Sequence, residues 1–79
     1  MKKRELKAWE IEMLEKGNTY AFAMLFFEFF PEDAKKYKTK DELRKCVEFN
    51  PDSKEYTFWD DEVKSFFNTK MECTGWKEY

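Results

Sequence analysis

Tyr20-Ala21-Phe22-Ala23-Met24-Leu25-Phe26-Phe27-Glu28-Phe29-Phe30 is the longest apolar run of the chain, and its conformation decides the fold. On a wheel of about 100° per residue its large side chains point in nearly every direction, leaving open only the strip around Ala21 and Glu28. A helix that is apolar all round must be buried. Phe and Tyr also suit a sheet. Here, however, apolar and polar residues do not alternate, and Ala, Met and Leu favour helix. The stretch therefore predicts a central helix over 19–30, capped by Asn18 or Thr19. At roughly 12 residues it is too short to span a bilayer, so no membrane partner is expected.

Upstream, Leu6, Trp9 and Met13 recur at helical spacing, with Ile11 and Leu14 beside them, which predicts a helix over 3–16. Gly17 follows where a C′ glycine ends a helix, and Lys16 suits its negative end. Downstream, Pro31 with Glu32 and Asp33 opens a short helix to about Tyr37. Thr39 and Glu42 have capping-box spacing, and Leu43, Cys46 and Val47 line a helix to about Glu48. Asn50-Pro51-Asp52-Ser53 is a turn.

Residues 54–59 are ambiguous, because Tyr56, Thr57, Phe58 and Trp59 favour strands whereas Thr57 or Asp60 could cap a helix. Val63, Phe66, Phe67 and Met71 share one side of a helix over 60–70, with Asp60, Asp61 and Glu62 at its positive end. The tail, residues 72–79, has no helical period and reads as a docked tail or a strand paired with 54–59. The expected fold is all-α: one domain over 1–79, with four or five short helices around the 19–30 helix. The alternative is α+β, with a small hairpin from 54–59 and the C-terminal tail.

A chain of 79 residues holds one domain, of about 12 Å radius of gyration when compact. Aromatics make up 20% of it and charged residues 41%, the mark of a concentrated core under a solvated surface and not of disorder. Net charge is −2. Acidic and basic residues are mixed along the chain, so no strong field steers nucleic acid or an anionic membrane. Two cysteines, Cys46 and Cys73, are too few for a secreted disulfide scaffold. Glu10, Glu12 and Glu15 interrupt any apolar run after the basic N-terminus, so a signal peptide is not expected. Both features point to the cytoplasm and to two separate thiols.

Much chemistry is excluded by missing atoms. With no histidine, Ser-His and Cys-His pairs and most zinc sets are gone. With Gly17 and Gly75 the only glycines, neither a P-loop nor a dinucleotide fingerprint can form. Asp60-Asp61-Glu62 could hold a hard cation through oxygen ligands, but helical neighbours point about 100° apart and do not converge. Glu28 is read as the solvent-facing strip of its helix in preference to a buried, perturbed acid. Lys35, Lys36, Lys38, Lys40, Arg44 and Lys45 form the densest basic patch, diluted by Glu32, Asp33, Asp41, Glu42 and Glu48 and read as a solvated face. No catalytic residue, metal ligand or cofactor is expected.

The aromatics remain. More of them are present than a core this small needs, and an exposed aromatic patch marks a protein interface. Phe22, Phe26, Phe29, Phe30, Trp59, Phe66 and Phe67 are the candidate partner-binding residues. The expected function is a non-enzymatic interaction module: a small regulator or inhibitor, of the kind common among phage and mobile-element accessory proteins. Its partner would be another protein or a second copy. The alternatives are nucleic-acid binding through the 35–45 patch and a carboxylate–metal enzyme.

Overall fold

A computed structural model describes residues 4–78 and shows four helices followed by four strands. They are α1 (Ala8–Glu15), α2 (Thr19–Phe29), α3 (Pro31–Ala34), α4 (Lys40–Arg44), β1 (Val47–Asn50), β2 (Glu55–Trp59), β3 (Val63–Phe67) and β4 (Cys73–Glu78). The strands form one antiparallel meander in the order β1-β2-β3-β4. The all-α expectation is thereby overturned, and the α+β alternative matches the architecture.

The local stop signals act as read. Gly17 takes φ +83° just after α1. The Asn18 side chain accepts the Ala21 N–H at 3.0 Å and caps α2. Pro31 opens α3 at its first turn. Thr39 caps α4 by accepting the Glu42 N–H at 3.2 Å. The reciprocal half of a capping box is displaced, since the Glu42 carboxylate takes the Lys38 N–H instead. At the chain's start, α1 begins at Ala8 and not near residue 3, which lies outside the described residues. The Glu10 carboxylate caps that end by accepting the Lys7 N–H at 2.8 Å.

The errors lie in the second half. The helix expected to run to Glu48 ends at Arg44, and Val47 enters the sheet. The helix expected over 60–70 is strand β3. Val63, Phe66 and Phe67 fit a helical face by spacing, but strand pairing sets Phe67 beside Tyr56 and Phe66 beside Thr57, on opposite sides of the sheet. Cross-strand contacts between aromatic and β-branched residues outweigh the helical pattern. The tail does form a strand, but it pairs with β3 and not with residues 54–59.

The helices cover one face of this sheet. Phe22 stacks on Tyr56 at 4.8 Å between ring centroids, and Phe26 meets Phe58 at the same distance. Phe67 sits edge-on to Phe22 at 5.4 Å. With Leu14, Leu25 and Leu43 these residues form the core. Ala21 is buried too, and the open side of α2 lies instead at Tyr20 and Glu28, with Met24 and Phe27 half-buried beside them. The cover that the 19–30 helix requires is provided by the chain's own sheet. The radius of gyration is 11.7 Å, and no helix among the described residues is long and apolar enough to cross a membrane.

Candidate interaction surface

Because the helices lie on one side, the other face of the sheet has no layer over it. Alternation puts Tyr56, Phe58 and Phe67 inward, so their neighbours in sequence face out. Register then lines up two rows on that outer face: Trp59, Lys64 and Lys77, and beside them Thr57, Phe66 and Gly75. Trp59 is 37% exposed and Phe66 is half-buried. The Lys64 ammonium lies 4.9 Å from the Trp59 ring centroid and 6.0 Å from that of Phe66. This is cation–π geometry, and it holds a charge between two aromatic groups. Opposite Phe66, Gly75 offers no side chain: a Cβ there would lie 3.9 Å from the Phe66 ring.

The acidic stretch at 60–62 occupies the β2–β3 turn and not a helix N-terminus. Asp60 is ion-paired with Lys36, and Asp61 lies 3.6 Å from the same ammonium. Burial pushes the Asp60 carboxyl up, but the Lys36 hydrogen bond and the Asp61 N–H outweigh it and hold the group below its ordinary range. Lys36 is raised, chiefly by its bond to Asp60. No group of three or more Asp, Glu, Cys or His side chains among the described residues could hold a metal ion. Within the basic stretch, Lys35 pairs with Glu32 at 3.1 Å, and Arg44 pairs with Asp41 at 3.6 Å while lying over the Tyr20 ring.

Glu28 belongs to a clasp at the other end of α2. The Arg4 guanidinium binds Glu10 through two bonds of 2.8 Å and Glu28 through bonds of 2.6 and 3.0 Å. Glu10 is only 4% exposed, and its carboxyl is pulled from an ordinary 4.5 to about 2, first by Arg4 and then, against burial, by the Lys7 N–H. Glu28 stays half in solvent and is also lowered by Arg4. Next to the clasp lies a cleft of about 700 Å³ whose apolar lining includes Leu6, Ile11, Phe29, Phe30 and Met71, with Cys73 at its edge.

The seven candidate aromatics are thus dispersed. Phe22, Phe26 and Phe67 are core residues; Phe29 and Phe30 line the cleft; Trp59 and Phe66 stand on the outer face. Only the last two are brought together at an uncovered surface. Sequence reasoning missed Lys64, which joins them, and Trp76, which is 63% exposed on β4. The alternation in Tyr56-Thr57-Phe58-Trp59 was the available signal, since it puts Thr57 and Trp59 on the side opposite Tyr56 and Phe58. Cys46 and Cys73 are both free thiols. Comparison with family models, with curated proteins and with solved structures finds no match to this chain.

Proposed function

We propose that this chain is a non-enzymatic module, a small regulator or inhibitor, that binds another protein through the outer face of its sheet. The observation that carries this reading is Trp59 and Phe66 flanking Lys64 on a face with no layer over it. Aromatic residues are enriched at protein interfaces, and Trp is among the few residues that dominate their binding energy. The same row adds Lys77, so the partner surface that fits offers apolar side chains to the rings and a carboxylate to the ammonium groups.

The test uses immobilised wild-type chain beside a Trp59→Ala/Phe66→Ala variant. A partner retained by the first and lost by the second is then purified and titrated. Wild type should bind it at least about 30-fold more tightly than Trp59→Ala does, with amide exchange slowed at Thr57 and Phe66. A purified partner that binds both forms equally would remove the outer face from consideration. Salt-sensitive retention of single-stranded DNA, abolished by Lys64→Glu, would instead mark the face as a stacking platform for nucleic acid.

A further inference from the structure

We propose that the chain also pairs with a second copy of itself through β4, about a two-fold axis passing between Thr74 and Gly75. β4 is the last strand of the sheet and pairs only with β3 among the described residues. Its other edge presents main-chain donors and acceptors that an extended strand can meet. Three features of β4 select the same occupant and the same register.

The first is the pattern of faces. Cys73 stands opposite Phe67 and Trp76 opposite Ser65, both on the helix side; Gly75 stands opposite Phe66, on the outer side. A bulge between Cys73 and Gly75 inserts Thr74, whose hydroxyl reaches the Phe66 carbonyl at 3.3 Å and the Glu55 carboxylate at 3.4 Å, again on the outer side. Residues 73–76 therefore face in, out, out, in, and read the same backwards. Side chains directly opposite in an antiparallel pair share a face. A centre between Thr74 and Gly75 lets two bulged strands pair with every face matched.

The second feature is a knob and a hole on one edge. Trp76 is the most exposed large apolar residue described, at 63%, and Cys73 borders the cleft floored by Phe29, Phe30 and Met71. The register set by the faces puts Trp76 of the second copy opposite Cys73, at the mouth of that cleft. The two-fold axis repeats the contact with the roles exchanged, as an isologous interface requires. The third feature is charge: Glu72, just before β4, whose carboxylate accepts from the Asn68 amide at 2.8 Å, falls opposite Lys77 of the second copy in the same register, and Lys77 opposite its Glu72. The two Cys73 residues fall about 10 Å apart along the strands, beyond disulfide reach, so the pair forms without a covalent bond.

The experiment is sedimentation equilibrium of the full chain in reductant, from about 1 μM to about 1 mM. A reversible monomer–dimer equilibrium is expected, weakened about 30-fold or more by Trp76→Ala. Circular dichroism of that variant should be unchanged, since Trp76 packs mostly against solvent. Glu72→Lys and Lys77→Glu should each weaken the dimer, and the double variant should restore it. Trp59→Ala/Phe66→Ala should leave it intact, which separates this interface from the partner-binding face. A chain that stays monomeric throughout, a dimer indifferent to Trp76→Ala, or a charge exchange that fails to restore pairing would each overturn the proposal.

Discussion

The Tyr56 phenol donates to the Leu14 carbonyl at 2.6 Å, so the middle of the sheet is tied to the last turn of α1 inside the core. Neither residue is exposed at all. The Gly17 N–H reaches the same carbonyl at 3.0 Å, so one acceptor holds together a strand, a helix end and the turn after it. Burial pushes the phenol well above its ordinary pKa, which keeps it a donor.

Tyr56→Phe should keep the fold and lower stability by about 1 kcal/mol, the net value of one neutral hydrogen bond, because Gly17 still satisfies the carbonyl. Urea denaturation at pH 7 would show it. The alkaline limb carries the sign of the shift. Unfolded tyrosine ionises near pH 10 while the folded phenol does not, so stability present below pH 10 is lost as pH rises beyond it. The phenylalanine variant should lose less stability than wild type between pH 9 and 11; an equal loss would show that Tyr56 does not govern this limb.

Gly17→Ala should destabilise the chain by more than about 1 kcal/mol. At φ +83° an L side chain is strained, and its Cβ would lie 2.5 Å from the Phe49 ring. A double-mutant cycle tells the two causes apart: in a Phe49→Leu background the clash is relieved and only the backbone strain remains. Thermal melts of the four proteins decide it, and additivity within about 0.3 kcal/mol would exclude the clash.

Acid should weaken the fold through the Arg4 clasp. Glu10 titrates at about 2 when folded, against an ordinary 4.5. Its contribution is present above pH 4.5 and drains away as pH falls toward 2, because only the unfolded chain takes up the proton in that window. Urea midpoints measured through this range should drop for wild type and drop less for Glu10→Gln. Parallel curves would mean that the clasp contributes no pH dependence.

Neighbouring residues of β2 should respond in opposite ways. Phe58 is 3% exposed and packs on Phe26, so Phe58→Ala should cost about 3–5 kcal/mol of folding stability. Trp59 faces out, and Trp59→Ala should stay within about 1 kcal/mol of wild type. Comparable losses at both positions would contradict strand alternation here.

The sequence by itself determined several helix boundaries, because those signals act over three or four residues, but not the start of α1 at Ala8 or the end of α4 at Arg44. Gly17 supplies a left-handed backbone, Asn18 and Thr39 offer side-chain oxygens to free N–H groups, and Pro31 cannot continue α2. It also determined that a broad side of residues 20–30 had to be buried, since so apolar a helix has no stable exposed state, although Tyr20 and Glu28 remain exposed. What covers that helix was decided only in three dimensions. Val63-Lys64-Ser65-Phe66-Phe67 carries a helical spacing and a strand composition together, and nothing within five residues chooses between them. The choice is made by Tyr56 and Thr57 across the ladder and by Phe22 and Phe26 from the helix layer, tens of residues away. The outer face has the same origin: Trp59, Lys64 and Phe66 become neighbours only once β2 and β3 pair in register. They lie close along the chain, but the Asp60-Asp61-Glu62 turn between them carries no Gly or Asn to announce a hairpin, and the energy of strand pairing depends on the partner.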